Sequence, residues 1–130
     1  MSMNLEPYMR SRYVNGGRVL PAVDCWGMTR LAFSEIHGVE LPLLNGLNAE
    51  SLMGKSRNYV QLAKIMRECP PQHGAIAAVV TGNACEHVGI CITISGNLFV
   101  METTEETGPR IIPLSAFVEE RGNVRCYTSA

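Results

Sequence analysis

The sequence predicts an α+β domain in which helices pack on an antiparallel sheet. Apolar residues in the first half of the chain recur at helical spacing, whereas the second half contains short apolar or alternating runs separated by turn residues. Helices followed by a meander of strands are typical of domains whose helices cover one face of such a sheet. With 130 residues, 46% hydrophobic and 18% charged, the chain fits a single globular domain over residues 1–130.

The first predicted helix runs from Cys25 to His37. Asp24 precedes it as a candidate N-cap, and Gly38 stands where a glycine commonly ends a helix. The apolar residues of its inner face are Met28, Leu31, Ala32 and Ile36. We expect His37 to lie at the surface, since a cation in the last turn suits the helix dipole.

A second helix is predicted over residues 56–68, after a loop that begins at Leu41-Pro42. Its inward residues would be Tyr59, Val60, Ala63 and Met66. Pro70-Pro71 follows, and proline cannot continue a helix because it lacks the backbone N–H.

Five strands are predicted in the second half, over residues 75–80, 87–94, 98–103, 110–112 and 124–127. Ser95-Gly96-Asn97 suits the turn of a hairpin between the second and third of them. The strand beginning at His87 alternates in character. Its aliphatic residues are expected to face the core, which leaves the other face to His87, Gly89, Cys91 and Thr93.

Charge and composition exclude several classes of function. Eleven basic and twelve acidic side chains give a net charge of −1, so no basic surface for nucleic acid is predicted. No apolar run reaches the ~18–20 residues of a membrane span. The first twelve residues lack a basic region followed by an apolar stretch, so we expect synthesis in the cytoplasm without a signal peptide.

The five cysteines are odd in number and irregularly spaced, which favours reduced thiols. Neither a C-x2-C nor an H-x3-H pair is present, so we predict no metal site and no cofactor.

Three side chains could carry nucleophilic chemistry. Cys25 stands where a glycine-containing loop meets a helix start, and the unpaired N–H groups there stabilise a thiolate and lower its pKa. His87 opens a strand and could serve as the base if a helix N-terminus approaches its face. Glu102, on the next strand of the hairpin, could orient the imidazole. The same pattern also fits a buried inert cysteine, an exposed strand histidine and a solvated glutamate.

Four segments resemble the NlpC-type cysteine peptidases, a papain-like family of cell-wall hydrolases, in order and spacing over about residues 8–114. They are R-Y-V-N-G-G at 12–17, D-C-W-G-M-T-R-L at 24–31, G-V-E-L-P at 38–42 and H-V-G-I at 87–90. The resemblance implies a papain-like fold with helices on a central antiparallel sheet and the nucleophile at a helix N-terminus.

The resemblance also implies a role for each matched residue. Cys25 would attack a peptide carbonyl of a peptidoglycan stem peptide, and its backbone N–H would help to hold the oxyanion. His87 would accept the thiol proton and return it to the leaving amine. Substrate contacts would come from Tyr13, Asp24 and Trp26.

This sequence departs from the family pattern on the strand after the base, where many relatives carry a histidine. Depending on the alignment, Met101 or Glu102 occupies that place. We prefer Glu102, because a carboxylate can orient an imidazole and a thioether cannot.

The D-C-W-G form and the lack of a leader are most similar to the phage-tail and prophage branch of the family. This similarity implies a domain incorporated into a tail particle, with tail-tip proteins as partners beside the peptidoglycan substrate. Two alternatives to a hydrolase stay open at this point. One is a weak or inactive module of tail assembly, and the other is an acyl transferase that shares the thioester step.

Overall fold

The computed structural model describes residues 3–43, 64–82 and 84–129. Its centre is a six-stranded sheet in which every neighbouring pair is antiparallel, in the order β4-β9-β5-β6-β7-β8. These strands are β4 (Met66–Cys69), β5 (Ile76–Thr81), β6 (Ala84–Ile94), β7 (Asn97–Thr104), β8 (Gly108–Pro113) and β9 (Val124–Ser129). The mixed α/β architecture with a dominant antiparallel sheet agrees with the predicted fold class.

A smaller sheet precedes the main helix. It joins β1 (Arg12–Tyr13), β3 (Ala22–Val23) and β2 (Arg18–Val19), with β1 and β3 parallel and β2 and β3 antiparallel. The helices of the described ranges are α1 (Glu6–Met9), α2 (Cys25–His37) and α3 (Leu114–Arg121).

Helix α2 has the predicted bounds, because local signals determine both ends. The Asp24 carboxylate accepts a hydrogen bond of 2.8 Å from the Gly27 N–H, as an N-cap does. Gly38 ends the helix in the left-handed conformation, with φ of 70°. We expect a free surface position for His37 from the sequence, and this prediction is wrong. His37 is half-buried, with its Nε2 at 2.8 Å from the Gly74 carbonyl oxygen, because the turn before β5 packs against this end of the helix.

The sheet is covered on both faces, and not on one as the sequence indicated. Val88, Ile90 and Ile92 pack in the same core cluster as α2, as their alternation predicts. Cys91 lies on the opposite face, in a second cluster with Phe117 of α3. The sequence did not reveal α3, because this short helix buries only one residue and has no side-chain N-cap.

The second predicted helix is wrong at its C-terminal end. Residues 66–69 form β4, which pairs with β9 from Met66 opposite Ser129 to Cys69 opposite Cys126. Pairing with a strand about 60 residues away in the sequence outweighs the local helical pattern here. Lys64 and Ile65 form a turn, while the remaining part of that helix, residues 56–63, and the loop after Leu43 lie outside the described residues. The five predicted strands are confirmed, each with ends within about three residues of the prediction.

Candidate active site

A cleft of about 290 Å³ lies where the start of α2 meets β1, β6 and the turn between β7 and β8. Three of the predicted site residues line it, namely Tyr13, Cys25 and His87. The other lining residues are Asn15, Glu86, Thr103, Thr104, Glu105, Glu106 and Arg121. We call this feature the cleft.

Cys25 is the first residue of α2, and its sulfur lies against β6. The backbone N–H groups of Val88 and Trp26 are hydrogen-bonded to it. Val88 directly follows His87, so the thiol contacts the strand segment that carries the histidine. The residue is 1% exposed.

The pKa of the Cys25 thiol is raised, not lowered as the helix start suggested. Burial is the main cause and the Asp24 carboxylate adds to it, so that the pKa rises to about 12 although the two N–H groups oppose the shift. The helix start does supply the expected N–H groups, but it also holds the sulfur away from water and beside an anion. In this conformation the thiol is therefore protonated at neutral pH, and it needs a base before it can attack.

His87 and Glu102 form a buried pair. The imidazole Nε2 lies 2.6 Å from Glu102 Oε1, and the two residues are 5% and 1% exposed. Phe117 of α3 lies beside the imidazole, with 6.2 Å between ring centroids. The helix that covers the face of His87 is thus α3, while α2 packs on the other face. Since Nε2 is bound to Glu102, Nδ1 is the ring nitrogen left to exchange a proton at the cleft.

Gly89 makes room for this pair. A Cβ atom at Gly89 would lie 2.7 Å from a methyl carbon of Val100 and 3.3 Å from the Cβ of Glu102. Any side chain at this position would therefore displace β7 or Glu102. The glycine in the H-V-G-I segment is explained by this close approach of the two strands.

Two arginines fix the Glu102 carboxylate. Arg110 Nε donates to Oε2 at 2.6 Å and Arg121 Nη2 donates to Oε1 at 3.1 Å. Arg110 also binds Glu120 at 2.8 Å. Burial by itself would raise the pKa of Glu102, but the hydrogen bond from His87, its charge and the two guanidinium groups lower it to about 2. Glu102 is thus an anion of fixed orientation at neutral pH.

The sequence did not identify either arginine. Arg110 could have been found, because it lies directly opposite Glu102 in the β7–β8 hairpin and opposite charges favour such pairs. Arg121 gave no signal, because it belongs to α3. Met101, the alternative to Glu102, lies in the core cluster that includes α2. It is not among the residues that line the cleft.

Tyr13 and Thr103 are two of the hydroxyl-bearing residues that line the cleft. Burial raises the pKa of Tyr13 to about 12, with contributions from Cys25 and Asp24, so its phenol stays protonated and can donate a hydrogen bond. Thr103 is 0% exposed, and its Oγ1 has no hydrogen-bond partner among the described residues. No pattern in the sequence indicates a role for Thr103.

Asp24 and Trp26 do not reach the cleft. The Asp24 carboxylate is fully buried and accepts hydrogen bonds from the N–H groups of Gly16 and Gly27 and from Arg18 Nη1 at 2.8 Å. Trp26 is also fully buried, and its indole N–H donates to the Pro42 carbonyl at 3.2 Å. Both residues hold the loop and the helix that present Cys25.

Two kinds of feature, a metal-binding cluster and a membrane-spanning helix, are absent from the described residues. No group of three or more His, Cys, Asp or Glu side chains in residues 3–43, 64–82 and 84–129 is arranged to hold a metal ion. No helix within these ranges is long and apolar enough to cross a membrane.

A comparison with known families gives one match. The profile of the NlpC/P60 family aligns with residues 10–116, which is most of the chain. The matched range contains Tyr13, Cys25, His87 and Glu102. No curated protein matches the chain significantly.

Proposed function

The chain belongs to the NlpC/P60 family, and we propose that it is a cysteine peptidase that cleaves amide bonds in peptidoglycan stem peptides. Members of this family are generally cysteine peptidases or amidases. Membership in the family therefore suggests that the substrate of this protein is peptidoglycan. The observation that carries the proposal is the buried His87–Glu102 pair, whose histidine lines the same cleft as Cys25 at the start of α2.

In the proposed mechanism His87 Nδ1 takes the proton of the Cys25 thiol as the sulfur attacks the substrate carbonyl. The oxyanion that forms would be held by the Cys25 backbone N–H at the helix start, with the Tyr13 hydroxyl as a second donor. His87 then protonates the leaving amine, which leaves a thioester on Cys25. Water, deprotonated by the same imidazole, hydrolyses the thioester and restores the thiol.

Glu102 supports each of these proton transfers. Its charge stabilises the imidazolium that forms when His87 accepts a proton, and its hydrogen bond at 2.6 Å keeps the ring in one orientation. The high pKa of Cys25 requires this support, because the proton would otherwise stay on sulfur.

The cleft suits a short peptide that carries a cationic group. Glu86, Glu105 and Glu106 lie along it and are exposed, so they could pair with the free amine of a diamino acid. The hydroxyls of Tyr13 and Thr103 would hydrogen-bond with the peptide backbone.

The second candidate is a catalytically weak or inactive module of phage tail assembly. The observation that favours it is the resting state of Cys25, which is 1% exposed and has a raised pKa. Incorporation in a tail particle rests on the D-C-W-G similarity alone, and co-purification with tail-tip proteins after expression from a phage or prophage context would test it.

Muropeptide digestion tests the proposed function. Purified protein is incubated with defined stem peptides, and the products are identified by mass spectrometry. We expect cleavage by the wild type and by Cys91→Ala, which changes a buried cysteine outside the cleft, and none by Cys25→Ala. Full cleavage by folded Cys25→Ala would refute the nucleophile. No cleavage by the wild type would favour the assembly module, and products joined to an added amine would indicate acyl transfer.

A further inference from the structure

Three of the five cysteines form a cluster on the sheet face covered by α3, away from the cleft. Cys69 of β4, Cys126 of β9 and Cys91 of β6 pack in or against the same hydrophobic cluster. We call these three residues the thiol cluster. The mechanism proposed above uses none of them, and they are not arranged to hold a metal ion.

Cys69 and Cys126 are direct neighbours across two antiparallel strands. They form the last register pair of β4 and β9, and their side chains lie on the same face of the sheet. Directly opposed residues have Cα atoms roughly 4.5–5.5 Å apart. That separation falls within the range of a disulfide, so the two sulfurs can be joined without moving the backbone far.

Cys91 has a different relation to Cys126. The two thiols are hydrogen-bonded, but β5 lies between their strands. Two strand spacings separate the Cα atoms by at least about 9 Å. A disulfide needs less than about 7 Å, so this pair cannot close without a large backbone movement. Cys91 can therefore donate its S–H to Cys126 but cannot bridge to it.

The reactive pair is open to small molecules. Cys69 and Cys126 line a surface cavity together with Pro70, Pro71 and Arg125. Cys69 is partly exposed, while Cys126 is 5% exposed at the cavity wall. The hydrogen bond from Cys91 lowers the pKa of Cys126 although burial opposes it, whereas burial raises the pKa of Cys69. Cys126 is thus the thiol that ionises first.

We propose that Cys69 and Cys126 form a peroxide-reactive pair that closes to a disulfide, with Cys91 as the hydrogen-bond donor to the attacking sulfur. This site is independent of the proposed peptidase activity. It would tie the edge strand β4 covalently to β9.

The chemistry needs a hydroperoxide as the oxidant. The Cys126 thiolate attacks one peroxide oxygen, the O–O bond breaks, and the departing oxygen leaves as water after protonation. The resulting sulfenic acid at Cys126 is attacked by the Cys69 sulfur, and its hydroxyl leaves as a second water. Two thiols lose two electrons and two protons, and hydrogen peroxide is reduced to two waters.

The test treats the reduced 130-residue chain with hydrogen peroxide at pH 7, blocks the remaining thiols with iodoacetamide and maps every cysteine by mass spectrometry. We expect a cross-linked peptide pair that contains Cys69 and Cys126. In Cys69→Ser the sulfenic acid at Cys126 should persist and react with dimedone. Cys91→Ala should slow oxidation of Cys126 at least about threefold, while Cys85→Ala, a buried thiol on the other face, should not.

Three results would overturn the proposal. They are a disulfide that joins Cys91 to Cys126, oxidation of Cys25 or Cys85 before Cys126, and an unchanged rate of Cys126 oxidation in folded Cys91→Ala. Because none of these readouts uses peptidase activity, an inactive protein would leave this test intact.

Discussion

The imidazole of His87 and the carboxylate of Glu102 are 2.6 Å apart, and the same carboxylate is bound by Arg110 and Arg121. Glutamate here does what a neutral side chain could not do, because it brings a negative charge to the histidine. The arginines in turn hold that charge in a buried position where an unpaired carboxylate would be costly. His87, Glu102 and the two arginines therefore form one connected hydrogen-bond network.

The first prediction concerns catalysis. Glu102→Gln keeps the size of the side chain but removes the charge that stabilises the imidazolium. We expect kcat for stem-peptide cleavage to fall about 100-fold or more, within the usual range for general acid–base support. The matched control is Glu119→Gln, an exposed position on α3 that does not line the cleft, which should retain most of the activity. Equal activity of both variants would show that Glu102 is only structural.

The second prediction concerns acid stability. The pKa of Glu102 is about 2 in the folded protein and 4.5 in its ordinary state. A depressed folded pKa means that the carboxylate stabilises the fold above about pH 4.5 and that this contribution is lost as the pH falls toward 2. We expect a loss of about 3 kcal/mol across that window.

Urea denaturation of the wild type and of Glu102→Gln at pH 7, 4.5 and 2.5 measures this effect. The variant should be less stable at pH 7 and should lose less of its stability on acidification. If the free energies of unfolding of the two proteins changed in parallel with pH, the acid sensitivity would come from carboxylates other than Glu102. That result would contradict this prediction.

The third prediction concerns Cys25 reactivity. Because burial and Asp24 raise its pKa to about 12, alkylation by iodoacetamide should be slow between pH 6 and 8 and should still be increasing at pH 9. Cys69, which is partly exposed, is the internal reference and should react faster. Rapid modification of Cys25 at pH 6 that depends on His87 would instead reveal a preformed thiolate–imidazolium pair. The resting protein would then hold Cys25 as a thiolate and not as a protonated thiol.

The fourth prediction concerns Asp24. The resemblance implies a substrate contact, but the buried carboxylate caps α2 and pairs with Arg18 at 2.8 Å. Asp24→Asn can still cap the helix but removes the negative charge from a buried ion pair, so we expect a loss of about 3 kcal/mol or more in the free energy of unfolding. KM should stay near the wild-type value in protein that remains folded. A stable variant with a strongly raised KM would restore the substrate role.

The sequence predicts those features of the structure that depend on residues close together along the chain. The bounds of α2 follow from Asp24 and Gly38, which act within one turn of the helix. The immediate neighbours of Cys25 and His87, together with the family resemblance, predict both as site residues, and both line the cleft. Glu102 is predicted from the hairpin and from the chemistry of a carboxylate, at a position where the sequence departs from the family, and the structure has it 2.6 Å from His87.

The features that the sequence missed depend on contacts between distant segments. β4 forms because β9 pairs with it, and no pattern within residues 66–69 indicates that partner. The arginines at Glu102 come from β8 and from a helix with little amphipathic character. The raised pKa of Cys25 could not be predicted, since it reflects how completely the tertiary structure excludes water from a position that would otherwise favour a thiolate.

The last prediction concerns Thr103, a residue that lines the cleft and whose buried hydroxyl has no hydrogen-bond partner among the described residues. A buried hydroxyl that forms no hydrogen bond contributes nothing to the fold, so Thr103→Val, which preserves the shape, should leave the free energy of unfolding unchanged or slightly increased. If the hydroxyl instead binds the peptide backbone of the substrate, kcat/KM should fall about fivefold to tenfold, the equivalent of roughly 1–1.4 kcal/mol for one hydrogen bond. Thr93→Val, at an exposed position of β6, is the control. Reduced stability with unchanged kcat/KM would mean that Thr103 has a structural partner and does not contact the substrate.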